Sequence, residues 1–241
     1  MSMPPLKGLS MRAIYEDGTY LRNNPTWHEE ESAWKANLVA RMLSKHHLHP
    51  ATVCDVGCGA GGILQWLADN SADGATYYGY EVSPQAYDIC RKKESDRLHF
   101  FLGDVLQEED RVFDVALALD VLEHVEDYLG FLRGLKRKAA HTVLHIPLDL
   151  CVQWALLSRP FLHVRSSVGH LHYLNKDTAF ATLKDTGFEV VDWFYTGVVT
   201  EFPSRDWKGE VMRRARQALF SVHRDLTVRI LGGYSMLVLA R

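Results

Sequence analysis

Between residues 51 and 146, short apolar runs alternate with segments whose apolar residues recur every three or four positions. The runs at 51–56, 75–81, 98–102, 112–119 and 141–146 are strand-length and rich in β-branched and aromatic residues. Helical patterns fit between them at 61–70, 84–93 and 123–138. Such alternation predicts βαβ units, and hence an α/β fold with a doubly wound, mostly parallel sheet covered by helices on both faces. Upstream, "TWHEEESAWKANLVARMLSKHH" predicts a helix capped by Thr26, with Glu29 completing a capping box. Trp27, Trp34, Leu38 and Met42 then share one face. Downstream, residues 148–174 carry mixed signals, and a helix at 176–186 is stopped by Gly187. A strand follows at 188–195. Residues 205–230 predict one long helix with an apolar stripe of Trp207, Val211, Ala215, Leu219, Val222 and Leu226, and a last strand spans 234–240. No internal repeat interrupts this plan. It predicts seven strands in a single domain over 1–241, with an N-terminal segment (1–48), a first half (50–147) and a second half (148–241) that includes the 205–230 helix.

Composition narrows the class. The chain has 241 residues, enough for a substantial core, and a net charge of −3. That charge leaves no strong basic field for nucleic acid. No apolar run approaches the ~18 residues of a membrane span. The four cysteines, Cys54, Cys58, Cys90 and Cys151, have no CxxC spacing, and "MSMPPLKGLS" lacks the apolar core of a signal peptide. The expectation is a cytoplasmic protein with reduced thiols, monomeric or homodimeric.

The chemistry concentrates at "CDVGCGAGG", residues 54–62. Gly57, Gly59 and Gly62 fit a dinucleotide-type GxGxxG pattern, in which glycines admit a ligand close to the backbone and the next helix aims its N-terminal N–H groups at it. In an open α/β sheet, ligands bind beyond the carboxyl ends of the strands. Those ends here carry Asp55, Glu81, Asp104 and Asp120. Glu81 ends the second strand, where a carboxylate can accept both hydroxyls of an adenosine ribose. Four acids at one edge form a poor setting for a pyrophosphate and a better one for a cation. A sulfonium carrying an ammonium group suits them.

On these residues the chain resembles the class I S-adenosylmethionine-dependent methyltransferases, in their small-molecule branch, over roughly 50–195 and the final strand. "VCDVGCGAGG" is similar to the first family motif through Asp55, Gly57, Gly59 and Gly61; "YYGYEVSP" resembles the second, "FLGDV" the third, and "FDVALALDVLEHVED" the fourth. "GHLHYLNKDTAFATLKDTGFEVVD" looks like the late helix–strand segment. The resemblance implies a Rossmann-like sheet of seven strands with the last antiparallel. It implies S-adenosylmethionine as cofactor, S-adenosylhomocysteine as product, and methyl transfer to O or N of a small molecule. It also implies a cofactor site at Asp55, Gly57, Cys58, Gly59, Gly61, Glu81, Val82, Asp104, Val105, Asp120 and Val121. In it, Glu81 meets the ribose, Asp104 the adenine amino group and Val105 the adenine ring. "HIPLD" at the fifth strand end departs from the usual pattern.

The remaining candidates are weighed against plainer roles. His124, just past the fourth strand, is the candidate catalytic base, or a packing residue at a helix start. His170 and His172 are substrate-contact candidates, and no third ligand at metal spacing accompanies them, so no metal is expected. Tyr20, Trp27, His28 and Lys35 form a lid over the site or a helix packed on the sheet; Lys35 is placed to pair with the cofactor carboxylate, and Trp27 and His28 to meet substrate. The basic residues of 205–230 form a solvated face, a substrate cap or a partner surface. Two other functions fit part of the pattern. One is a cofactor-binding regulatory module without transfer. The other is an NAD(P)-dependent oxidoreductase, which lacks its Tyr-x-x-x-Lys pattern here.

Overall fold

A computed structural model describes residues 21, 22, 24, 26, 27, 29–71, 74–197, 201, 202 and 207–241. Seven strands form one sheet: β1 (Thr52–Val56), β2 (Thr76–Glu81), β3 (Leu98–Leu102), β4 (Phe113–Leu119), β5 (Ala139–Pro147), β6 (Val190–Thr196) and β7 (Ser235–Ala240). Their order is β3-β2-β1-β4-β5-β7-β6. Neighbours from β3 to β5 pair parallel, and β7 runs antiparallel to both β5 and β6. The order reverses between β1 and β4. That switch point opens a crevice at the carboxyl edge.

The apolar runs form strands because both of their faces are buried. Val53, Tyr77, Leu98, Val115, Leu117 and Val143 point to one face, where they meet α1 (Ser32–Lys45) through Ala36, Val39, Met42 and Leu43, and α2 (Gly62–Asn70) through Leu64 and Leu67. Cys54, Tyr80, Ala116, Leu144 and Val238 point to the other. There they meet α4 (Tyr128–Lys136), α7 (Lys176–Asp185) and α9 (Arg224–Leu231). Between β2 and β3 lies α3 (Pro84–Cys90). The period of two puts Asp55 and Glu81 on the α1/α2 face, in step with Val53 and Tyr77.

Two expectations are corrected, and one region left open takes a definite structure. The first helix begins at Ser32, after a 3-10 turn at Glu29–Glu31; the Thr26 hydroxyl donates to the Glu30 carboxylate at 2.7 Å, so the Thr26–Glu29 cap is replaced. The mixed region at 148–174 contains two short helices, α5 (Val152–Leu157) and α6 (Arg159–Ser167), meeting at Ser158 with φ +56°. The single helix at 205–230 is two, α8 (Trp207–Val222) and α9, because His223 is extended and its Nδ1 accepts from the Leu226 N–H at 3.2 Å. The apolar stripe of α8 also faces outward: Trp207, Val211, Leu219 and Val222 are exposed. The inner side is held by Phe220, stacked on Tyr234 at 4.8 Å, and by the Arg216 carbonyl, which accepts from the Tyr234 hydroxyl. Among the described residues no helix is long and apolar enough to cross a membrane.

Candidate cofactor and substrate site

The loop after β1 is fixed by its own backbone. The Gly57 and Cys58 N–H groups donate to the Tyr80 carbonyl at 2.8 and 3.1 Å, which ties the loop to β2. Gly57, Gly59 and Gly61 all have positive φ. A Cβ on Gly57 would lie 2.9 Å from Val121, and one on Gly61 2.6 Å from Phe100, so these two glycines are required by packing. Gly59 differs. A Cβ there would meet nothing within 4 Å, and its bare backbone faces open space above Glu81.

Glu81 is buried, and its carboxylate accepts from the Gly59 N–H at Oε2 and the Ser83 N–H at Oε1, both at 2.8 Å. Burial raises its pKa, opposed by the backbone N–H groups of Ser83, Gly59 and Val82. Asp55, only 2% exposed, is pushed up to about 8, first by burial and then by the negative charge of Glu81, with Lys35 opposing. These two acids form a buried pair that a cation would relieve. At the neighbouring strand ends, Val82 and Leu102 stand exposed, and Gly103 adds another open backbone. Asp104 is exposed beside them and N-caps a 3-10 turn through the Leu106 N–H at 2.9 Å.

The remaining edge acid, Asp120, is already compensated. Asp120, in the left-handed region at φ +56°, lies 2.8 Å from Lys35 Nζ and 2.6 Å from His145 Nδ1. His145 Nε2 reaches the Thr196 hydroxyl at 2.7 Å. Burial alone would raise the Asp120 carboxyl, but His145 and Lys35 outweigh it and hold it well below its usual range. Lys35 is held up in turn: burial lowers it, and Asp120 and Glu31 more than restore it. Of the four strand-end acids, Asp120 is thus already ion-paired within the protein.

Beyond β4, the chain turns through Leu122–His124. Glu123 is buried, and neither of its carboxylate oxygens has a hydrogen-bond partner among the described residues. Burial and then the Asp120 charge push its pKa well up. His124 Nδ1 lies 3.3 Å from the Gly169 carbonyl, and its ring meets that of His170 edge-on at 5.0 Å. His170 Nδ1 lies 2.7 Å from the Asp149 carboxylate. The segment that carries His170 is anchored here by the Leu171 N–H, which donates to the Glu123 carbonyl at 2.7 Å.

These observations meet in a single pattern. A methyltransferase-domain family pattern matches residues 26–192, spanning the loop, Glu81, Asp120 and His124. The chain belongs to that family. A probable chloroplastic tocopherol O-methyltransferase of Oryza sativa subsp. japonica is 35% identical over 98 residues, 38% of this chain and 26% of that protein. Norajmaline N-methyltransferase of Rauvolfia serpentina is 32% identical over 98 residues, 38% of this chain and 33% of that protein. The matched part is thus about a third or less of these relatives' length. Among solved structures, magnesium protoporphyrin IX methyltransferase of Synechocystis PCC 6803, with bound SAH, superposes with a TM-score of 0.64 at 18% identity, covering 95% of this chain and 98% of that one, which is a likeness of fold.

Within this methyltransferase-domain fold, the residues expected at the site divide. Asp55, Gly57, Gly59, Glu81, Val82, Asp104, Asp120 and Val121 gather at or next to the carboxyl edge. Val105 follows Asp104 with its side chain buried in the core. Cys58 lies in the loop with its thiol buried and its N–H donated to the Tyr80 carbonyl. Lys35 is a strut between Glu31 and Asp120, so its charge is already spent within the protein. His172 is a clamp: its Nε2 bonds the Val125 carbonyl at 2.8 Å and its ring packs on Tyr128. Trp27 is half-buried at the turn before α1, while Tyr20 and His28 lie outside the described residues. The sequence reading missed Leu102, His145, Thr196 and Asp149. Leu102 and His145 carried a signal, since each sits at or near a strand's carboxyl end like the named acids. Asp149 and Thr196 had none, because only the folded chain brings them to their histidines.

Proposed function

We propose that this chain transfers a methyl group from S-adenosylmethionine to an oxygen or nitrogen atom of a small molecule. The observation that carries the reading is the buried Asp55–Glu81 pair beneath the bare backbone of Gly59. This is a cradle for a ribose and a cation, and a hostile one for a pyrophosphate. The family match and the O- and N-methyltransferase names of the relatives support the same reaction class.

The cofactor supplies a methyl group on a positively charged sulfur. The residues of the chain bind and orient. Glu81 spends one oxygen lone pair each on Gly59 and Ser83 and keeps others for two ribose hydroxyls. Val82 and Leu102 flank the adenine, and Asp104 accepts from its amino group. Asp55 offsets the cationic methionine end. The Lys35–Asp120–His145–Thr196 chain holds the floor rigid, so that the acceptor can be aligned with the methyl–sulfur bond. His124, one turn beyond Val121, stands where an acceptor would lose its proton, and His170 beside it faces the same space.

Calorimetry with S-adenosylmethionine and with NAD tests the choice of cofactor. The reading requires stoichiometric binding of the first and none of the second. Binding of NAD alone would overturn it.

A further inference from the structure

Glu123, His124 and His170 raise a separate question, because the buried Glu123 carboxylate has no hydrogen-bond partner among the described residues, and such burial costs several kcal/mol unless something compensates it. What faces that carboxylate is two imidazole nitrogens. His124 Nε2 and His170 Nε2 each lie 3.8 Å from Glu123 Oε1, too far for hydrogen bonds. The donor atoms of all three residues lie within 4.8 Å of one another.

Each of the two rings is held from its far side. His124 Nδ1 faces the Gly169 carbonyl and His170 Nδ1 the Asp149 carboxylate, at 3.3 and 2.7 Å. Both partners only accept, which favours a proton on Nδ1 of each neutral ring and leaves Nε2 as the atom on the Glu123 side. A carbonyl or carboxylate behind the distal nitrogen is the usual support of a metal-bound histidine. A tetrahedral ion with bonds of about 2.1 Å needs donors about 3.4 Å apart; the two separations from Glu123 Oε1 are 3.8 Å, and the whole set, within 4.8 Å, needs only side-chain adjustment to close on an ion.

We propose that Glu123, His124 and His170 bind a divalent transition-metal ion of the zinc type. Two imidazoles and one carboxylate select such an ion over magnesium, which prefers all-oxygen shells. One carboxylate leaves the bound ion with a net positive charge and at least one open position. Resting on the methyl-transfer reading, that position would take an oxygen of the acceptor and lower its pKa, which makes His124 a ligand and moves proton removal to the ion's influence.

The test is a Co2+ titration of the tag-free full chain, read by the visible d–d absorption, with Zn2+ as competitor. The expected result is saturation at one equivalent, displacement by Zn2+, and loss of the bands in Glu123→Gln and in His170→Ala. Asp149→Asn should weaken Co2+ binding about 10- to 100-fold by releasing His170. The double variant His47→Ala/His49→Ala removes two exposed histidines elsewhere and should keep the bands. Absence of bands in the wild type overturns the proposal, as do bands retained in both Glu123→Gln and His170→Ala, or bands lost only in the His47/His49 variant. Circular dichroism confirms that each variant is folded, and the wild-type titration stands even if one is not. Cofactor affinity is measured separately, so a failed metal site and a failed methyl-transfer reading give different results.

Discussion

Lys35 Nζ, on the first helix, lies 2.8 Å from the Asp120 carboxylate at the end of β4. The contact crosses from α1 to the strand edge, and His145 of β5 continues it to Thr196 of β6. Trp34, next to Lys35, sets its ring edge-on against His145 at 6.1 Å. The segment before the sheet is thereby fastened to three strands at the site.

Breaking this contact should destabilise the fold. Lys35→Met leaves Asp120 with one partner fewer at a poorly solvated edge, and should cost about 3 kcal/mol in urea unfolding. Lys35→Met with Asp120→Asn should recover part of that loss, because the stranded charge is gone. The Asp120 carboxyl is held below its unfolded value, so its contribution is present above about pH 4 and is lost as pH falls through the folded value. Stability of the single variant equal to wild type at pH 7 would refute the strut.

The glycines of the loop should separate packing from binding. Gly61→Ala drives a methyl into Phe100 and Cys90 at 2.6–2.9 Å with φ at +78°, and should lower the melting temperature sharply or prevent folding. Gly59→Ala meets only the left-handed backbone penalty, about 1 kcal/mol, and should fold while binding S-adenosylmethionine more weakly. Equal stability of the two variants would contradict the packing argument.

The fold was legible in the sequence, strand by strand, because each apolar run is buried on two faces and has little choice of conformation. The α8–α9 break was not: the three-to-four spacing runs straight across His223, and only the cap on Leu226 marks the end. The placement of Asp55 and Glu81 at the carboxyl ends of β1 and β2 was legible. The roles of Asp120 and Lys35 were not, since an acid at a strand end reads the same whether it awaits a ligand or pairs with a lysine from another element. Glu123 was hidden for the opposite reason. Its burial, and the arrival of His170 from 47 residues downstream, exist only in three dimensions.

Cofactor affinity should rise with pH. Asp55 sits at about 8 in the ligand-free chain and is therefore mostly protonated at pH 7. A bound cation favours its ionised form, so binding expels the proton, and affinity climbs between about pH 6 and 8 before levelling. Calorimetry in buffers of different ionisation enthalpy should detect proton release at pH 7, and Asp55→Asn should abolish it. A flat profile in the wild type would sink this account of Asp55.

Leu102 offers a test of the adenine flank. It is 51% exposed, so truncation disturbs little of the core. Leu102→Ala should leave stability within about 0.5 kcal/mol and weaken S-adenosylmethionine binding about fivefold, the equivalent of about 1 kcal/mol of apolar contact. An unchanged dissociation constant would remove Leu102 from the site.

The most direct test follows the methyl group itself. Incubating the chain with methyl-labelled S-adenosylmethionine and a cell extract, then separating small molecules, protein and nucleic acid, shows where the label goes. The account predicts label in one or a few small molecules, attached through oxygen or nitrogen, and its loss with Glu81→Ala. Label confined to protein or nucleic acid, or small-molecule labelling that survives Glu81→Ala, would contradict it.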